Sequence, residues 1–458
     1  MAGPFGKSVV LIVTVALALA TLAAPSAGAQ SGPSLPPVDL PGVDPSILAA
    51  LEDPTAPLDE VDPERYLPSP SPDPWYSDPP ELVESTPNGT ILDTRPATIP
   101  WFNAIGVGPT WQLLVQTRDS RDRPVAVPST VIIPAQPWRG PGPRPILSFA
   151  VAIDGLGNKC QPSWAMTQGV NIQFPPILQV LIARGYGVVV TDHHGPRGAY
   201  GASRMNGHAL LDGIRAARAF EPAGLGDSPA AIFGYSGGGI AAGGAAQMQA
   251  VYAPEMSEYL VGSAVGGVPV DLGEALEFTD GTIGAGLMRS AILGIAREYP
   301  AMYELLNRTG DAVAFTHRDT CAEFGTAAGI VTAPINSLTT MPDPVNDPRV
   351  REMIEDTRLG TRSNRPGEIP GAPVLLFSAD AAYGIGPLPG PGDQFFPESR
   401  LRDLQAEWCA AGADVDYIGV PGEHVTGMFT APRPVLDWID RRYDLYEAGL
   451  AAPRTCGI

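Results

Sequence analysis

Lysine is almost missing from this chain. Of 29 basic residues only Lys7 and Lys159 are lysines, and they stand against 49 acidic residues for a net charge of −20. A surface this short of positive charge excludes a nucleic-acid binder and a basic membrane-surface face, since both partners are polyanions. Solubility alone accounts for the acidity. Cysteine is scarce as well: Cys160, Cys321, Cys409 and Cys456. None forms Cys-x-x-Cys and no zinc spacing occurs, which argues against a zinc module or a dithiol redox site. Histidine occurs five times. The adjacent pair His193-His194 points its rings in different directions with no third ligand near in sequence, so neither metal nor cofactor is expected. Long apolar runs are absent after the N-terminus; no later stretch reaches the roughly 18 uncharged apolar residues that a membrane span needs.

The N-terminus itself has the order of a secretory leader. Lys7 supplies a positive start, Val9 to Leu22 is apolar, and Ala27-Gly28-Ala29 offers small residues for cleavage near Ala29. The mature protein is therefore expected outside the cell, where an even number of cysteines favours disulfides. Four cysteines allow three pairings, and spacing does not choose among them.

Residues 30–90 form a Pro-rich extension, as in Leu67-Pro68-Ser69-Pro70-Ser71-Pro72. Such a segment buries little and should be extended or wrap the surface. The rest is rich enough in apolar residues, at 44% with a mean hydropathy of +0.04, to build a large core. Trp111–Thr117 and Ala126–Ile133 flank a polar turn and read as a hairpin. Strands at Pro145–Val151, Gly185–Asp192, Ala230–Phe233, Val374–Phe377 and Val415–Val420 alternate with helices at Ile177–Arg184, Ala209–Phe220, Ser399–Ala411 and Pro434–Ala448. That alternation predicts an α/β fold with a mostly parallel sheet covered on both faces. After Val268 it weakens. The chain thus divides into a leader (1–29), the extension (30–90), a first core part (91–269), a helical cap inserted over the carboxyl ends of the strands (270–365) and a second core part (366–458), the arrangement in which such sheets bind ligands.

Gly234-Tyr235-Ser236-Gly237-Gly238 carries the chemistry. It joins the apolar run Ala230–Phe233 to a Gly/Ala-rich helical stretch, the strand–turn–helix setting in which G-x-S-x-G lifts a serine hydroxyl above the sheet. Gly234 and Gly238 are needed where strand and helix pass too close for a Cβ, and Gly237 offers an N–H beside a developing oxyanion. Chance would supply about 0.3 such pentapeptides in a chain this rich in glycine, so other residues must decide. A nucleophilic serine requires a base held by an acid, in the chain order Ser, Asp/Glu, His. His193, His194 and His208 precede Ser236 and His317 lies in the insertion. Only His424, in a loop directly after a strand, follows both the serine and the strand at 374–377. For the acid the residues leave two candidates. Asp380 stands just behind that strand, and Asp393 lies beyond the loop 381–392. Proximity to the strand favours Asp380.

Several ordered segments resemble the secretory lipase family from about residue 100 to the C-terminus. They are Asp154-Gly155-Leu156-Gly157-Asn158-Lys159-Cys160-Gln161-Pro162-Ser163, Asp192-His193-His194-Gly195, Leu211-Asp212-Gly213, the Ser236 pentapeptide, Gly266-Gly267-Val268-Pro269-Val270 and Glu423-His424-Val425-Thr426. The resemblance implies an α/β-hydrolase fold and the triad Ser236, Asp393 and His424. The family's acid occupies an Asp-x-x-x-Pro turn at a fixed distance before a Cys-Ala-x-Gly-Ala segment, which Asp393 and Cys409 match and Asp380 does not. The loop 381–392 is then an insertion. The resemblance also implies an oxyanion hole at Asp154 and Gly237, and the disulfides Cys160–Cys321 and Cys409–Cys456. Because a carboxylate repels an oxyanion, Asp154 must act through its backbone N–H or be protonated. The expected activity is hydrolysis of carboxylic esters, foremost triacylglycerols, with contact to a lipid surface, by a monomer without cofactor. A short-chain esterase and a non-catalytic secreted protein on a hydrolase scaffold are the alternatives.

Overall fold

The sheet is built from nine strands: β1 Ile91–Pro96, β2 Val107–Arg118, β3 Pro124–Pro134, β4 Ile146–Ala150, β5 Gly187–Thr191, β6 Ala230–Tyr235, β7 Leu260–Gly266, β8 Val374–Ala379 and β9 Val415–Val420. Their spatial order is β1-β2-β3-β5-β4-β6-β7-β8-β9. The computed structural model describes residues 43–100, 106–168, 174–282, 284–321, 334–380, 392–451 and 455–456. The leader 1–29 and nearly all of the loop 381–392 lie outside them.

From β1 to β5 the neighbours pair antiparallel, and from β5 through β4 to β9 they pair parallel. The expected hairpin is β2–β3. Its turn closes because Asp119 Oδ1 accepts the N–H groups of Arg121 and Arg123, each at 2.9 Å. Strand β7 had no strong sequence signal: Gly262-Ser263-Ala264 is too small and polar to stand out, and pairing on both edges makes it a strand.

The helices are α1 Pro45–Glu52, α2 Pro162–Gln168, α3 Phe174–Arg184, α4 Ser203–Ala219, α5 Gly237–Tyr252, α6 Leu272–Thr279, α7 Ala285–Ala296, α8 Arg308–His317, α9 Pro348–Thr357, α10 Glu398–Ala410, α11 His424–Thr430 and α12 Pro432–Glu447. Alternate residues of each central strand enter separate apolar layers. Ile146, Ala150, Ala230 and Ile232 pack with Met205 of α4, Ala241 of α5 and Trp408 of α10. Leu147, Phe149, Ala231 and Phe233 pack with Leu181 of α3 and Leu436 and Ile439 of α12. Burial on both faces explains why these strands read as unbroken apolar runs.

Between the adjacent strands β7 and β8 the chain leaves the sheet and forms α6 to α9. Arg297, just after α7, ties this excursion down. Its guanidinium donates to the carbonyls of Leu156 (2.7 Å), Arg197 (2.7 Å), Gly198 (3.0 Å), Arg318 (2.9 Å) and Tyr66 (3.1 Å). The disulfide Cys160–Cys321 joins the loop after β4 to the chain after α8, and Cys409–Cys456 joins α10 to the C-terminal tail.

The Pro-rich extension departs from expectation. It wraps the surface, yet Tyr66 is only 2% exposed and Ile47 and Ala50 are buried against Ala312 of α8. Its prolines start helices rather than prevent them. Asp44 caps α1 through the N–H of Ser46 (2.9 Å), with Pro45 at the first helical position, where a missing N–H costs nothing.

Candidate active site

Every residue singled out for the site lies at the carboxyl end of a parallel strand. Asp154 follows β4, Ser236 follows β6, Asp393 follows β8 and His424 follows β9. Ser236 sits at a tight elbow with φ 55° and ψ −124°, a left-handed conformation that a non-glycine residue adopts only under strain. Neighbouring backbone holds it there: the Ser236 N–H donates to the Gly266 carbonyl at 2.9 Å. A Cβ at Gly234 would overlap the Gly238 carbonyl, and one at Gly238 would overlap the Ala150 carbonyl, so both positions exclude side chains.

The Ser236 hydroxyl lies 2.8 Å from His424 Nε2, and His424 Nδ1 lies 2.7 Å from Asp393 Oδ2. A carboxylate only accepts, so Nδ1 carries the proton and the Nε2 lone pair faces the serine. Burial works to lower the His424 pKa. The Asp393 carboxylate overrides it, with Asp154 and Glu423 adding to the effect, and the imidazole ends above its ordinary 6.5. Asp393 is itself oriented, since its Oδ1 accepts the N–H groups of Phe395 and Phe396, each at 2.9 Å.

Asp380 is not brought to His424. Its N–H pairs with the Val420 carbonyl at 2.9 Å, and its carboxylate lies against Gly419 and contributes to the field at Arg402 of α10. Strand proximity is therefore misleading here, because Asp380 continues the β8–β9 ladder while the chain must turn through 392–393 to reach the imidazole.

Asp154 also has positive φ (46°) and is buried beside Gly237. Burial pushes its carboxyl up to about 6, against the influence of His424, the Tyr200 hydroxyl and the Gly237 amide, which favour the charged form. Among the described residues neither the Asp154 amide nor the Gly237 amide donates to a backbone carbonyl. The Gly237 amide instead faces the Asp154 carboxyl, close beside the serine.

Sequence reasoning missed the packing around the imidazole. Phe395, Phe396 and Tyr235 surround the His424 ring at centroid distances of 4.7, 5.4 and 5.3 Å, and the Tyr235 hydroxyl donates to the His424 carbonyl at 2.8 Å. Tyr235 occupies the variable position before the serine, and the two phenylalanines follow Asp393 closely, so adjacency to the motifs was the available signal. Glu423 caps α11 through the N–H groups of Val425 and Thr426 and so fixes where His424 begins the helix. His208 and His317 are structural: each pairs with a backbone carbonyl, and burial drives their pKa values down to about 3 and about 4. Among the described residues no group of three or more His, Cys, Asp or Glu is placed to hold a metal ion, and no helix is long and apolar enough to cross a membrane.

Helices α6 and α7 lie over the site. Met288 and Ala291 of α7, with Leu272, Tyr200, Phe395 and Phe396, line a narrow gap beside His424. A second cavity of about 70 Å³, which also touches Leu272, lies among helices α6 to α9, lined by Leu276, Leu293, Met302, Val313 and Met353. Ser236 and His424 are 2% and 3% exposed, so bulk water hardly reaches them.

A doubly covered, mostly parallel sheet with a serine at the strand–helix elbow and a histidine and an aspartate in hydrogen-bonded series behind it defines an α/β hydrolase. The model of the secretory lipases matches residues 162–449, and the chain belongs to the secretory lipase family, a family of carboxylic ester hydrolases. It is 29% identical over 401 residues to the secreted triacylglycerol lipase LIP3 of Malassezia restricta, covering 81% of this chain and 80% of that one. It is 30% identical over 389 residues to a protein of Mycobacterium tuberculosis named a probable inactive lipase, covering 82% of each. The solved structure of Candida antarctica lipase A superposes with a TM-score of 0.72 at 26% identity, covering 86% of this chain and 89% of that one.

Proposed function

We propose that this protein is a secreted serine hydrolase that cleaves lipid esters, triacylglycerols foremost, through an acyl-enzyme on Ser236. The reading rests on one observation above all: the unbroken series Ser236 Oγ–His424 Nε2 (2.8 Å) and His424 Nδ1–Asp393 Oδ2 (2.7 Å), closed off from water. His424 takes the serine proton as Oγ bonds to the acyl carbon. The negative charge that moves onto the carbonyl oxygen meets the Asp154 and Gly237 amides. His424 then gives the proton to the departing alcohol as the carbon–oxygen ester bond breaks, and water releases the acid by the same route. Asp393 holds the imidazole tautomer and stabilises the imidazolium.

Residues 270–365 act as the cap in this reading, and the apolar cavity inside it receives the acyl chain. The likeness to a secreted triacylglycerol lipase and the two disulfides support action outside the cell on a lipid substrate. The likeness to a protein named an inactive lipase favours a second reading, a scaffold without catalysis.

One comparison separates the two. The purified protein should hydrolyse p-nitrophenyl esters and emulsified triacylglycerol and take up a fluorophosphonate probe, and Ser236→Ala should lose all three. A wild-type protein that neither reacts with the probe nor hydrolyses esters would establish the inactive scaffold. Activity confined to short soluble esters would move the assignment from lipase to esterase.

A further inference from the structure

The Asp192-His193-His194-Gly195 segment has no part in the chemistry above, yet it is packed directly beneath the oxyanion side of the site. His193 and His194 are fully buried. His193 Nε2 lies 2.9 Å from the Val151 carbonyl, and His194 Nδ1 lies 3.3 Å from the Gly155 carbonyl. A carbonyl only accepts, so each ring presents its N–H there. Burial keeps both imidazoles neutral, holding His193 at about 4 and His194 well below its ordinary value, with each ring next to the other and Arg297 beside His194. The two carbonyls bracket residues 152–154, the short run that ends in Asp154 at φ 46°.

Tyr200 completes the arrangement. Its ring stacks on His194 (centroids 5.3 Å apart, 26° between planes), which meets His193 edge-on at 4.7 Å. Its hydroxyl faces the Asp154 carboxyl, and each group shifts the other's titration. Asn206 fixes the turn that bears all three by donating to the carbonyls of His193 (2.9 Å) and Ala199 (3.2 Å). An apolar residue of similar size would fill the same space more cheaply. As it stands, His193 Nδ1 and His194 Nε2 are buried without a hydrogen-bond partner among the described residues, a cost that packing alone does not explain. What the imidazoles add is an N–H at each end of the Asp154 loop.

We infer that His193, His194 and Tyr200 are positioning residues for ester hydrolysis: they clamp the strained loop 151–155 so that the Asp154 amide faces the oxyanion. This rests on the proposed ester-hydrolase function. A strained, positive-φ residue relaxes unless its surroundings over-determine it, and an oxyanion donor acts only if it is in place before charge develops.

The test uses kcat and KM for p-nitrophenyl butyrate, with thermal unfolding measured alongside. His193→Leu and His194→Leu remove the N–H donors. His193→Gln and His194→Asn keep a donor near Nε2 and Nδ1 respectively. Tyr200→Phe removes only the hydroxyl. The leucine variants should lose about 100-fold in kcat, the scale of one misplaced oxyanion donor, with KM changed by less than about threefold. The Gln and Asn variants should recover at least about tenfold of that, and Tyr200→Phe should fall about tenfold with its melting temperature unchanged. Folded leucine variants with wild-type kcat, or Gln and Asn variants no better than leucine, overturn the inference. Should the leucine variants not fold, Tyr200→Phe decides, and unchanged kcat there refutes the clamp. A wild-type enzyme that neither hydrolyses the ester nor takes the fluorophosphonate label removes the ester-hydrolase reading itself, and this inference with it.

Discussion

At the scale of single residues, the imidazole of His424 is held by an acid that sequence proximity ranked second. Asp393 rather than Asp380 reaches Nδ1. Asp393→Asn should therefore lower kcat by about 10⁴-fold, because an amide in that place favours the wrong tautomer. Asp380→Asn should leave kcat within about threefold. Steady-state kinetics on a soluble ester checks both, and the reverse pattern would place the acid at Asp380. The pH profile belongs to the same scale. His424 must be neutral to accept the serine proton, and its pKa is raised above 6.5 with Asp393 the leading influence overriding burial. Activity should fall as pH drops through a value above 6.5. Replacing Asp393 with Asn should move that limb toward lower pH, which kcat/KM measured across pH 5–9 will show.

At the scale of elements, the extension anchors α8 more than its composition suggests. The Arg308 and Thr309 N–H groups at the start of α8 donate to the carbonyls of Ala56 and Pro54 at 3.0 and 3.1 Å, and the Tyr66 hydroxyl donates to Asp311 at 2.7 Å. The Tyr66 ring lies 4.4 Å from that of Tyr303. Tyr66→Ala leaves a ring-sized cavity and takes one partner from the Asp311 carboxylate, which keeps Arg65, so it should cost about 3–5 kcal/mol by analogy with other buried aromatics. Denaturant titration reads this directly; a loss under about 1 kcal/mol would mean that the extension merely rests on the surface. The serine elbow is an element-scale feature as well. Gly234, Gly238 and the Gly266 carbonyl hold Ser236 at a backbone geometry that it would not adopt in a free chain.

At the scale of the whole molecule, two covalent links close loops of very different size. Cys160–Cys321 spans 161 residues and Cys409–Cys456 spans 47. In the chain-entropy account each contributes about 2–5 kcal/mol, and the longer loop about 1 kcal/mol more than the shorter. Replacing both members of a pair by serine should lower the unfolding free energy in that order, Cys160/Cys321 first. Equal losses would argue that local packing rather than loop closure sets their effect.

Much of this is legible in the sequence. The strands at 146–150, 187–191, 230–235 and 374–379 read as apolar runs because both their faces are buried, whereas the edge strand 415–420 is only partly buried. The elbow was legible because glycine is required where strand and helix backbones nearly touch. With only one histidine placed after both the serine and the late strand, counting was enough to find His424. The fold class and the candidates Ser236 and His424 are thus legible locally, in composition and order. Which aspartate meets the His424 imidazole was not local, since Asp380 and Asp393 differ only in how the chain turns after β8. The packing of Phe395, Phe396 and Tyr235 on the imidazole, the burial of Tyr66 and the clamp beneath Asp154 all join residues distant in sequence. Their partners are decided by burial and by which carbonyls remain to be satisfied, and those quantities exist only once the sheet and cap have assembled.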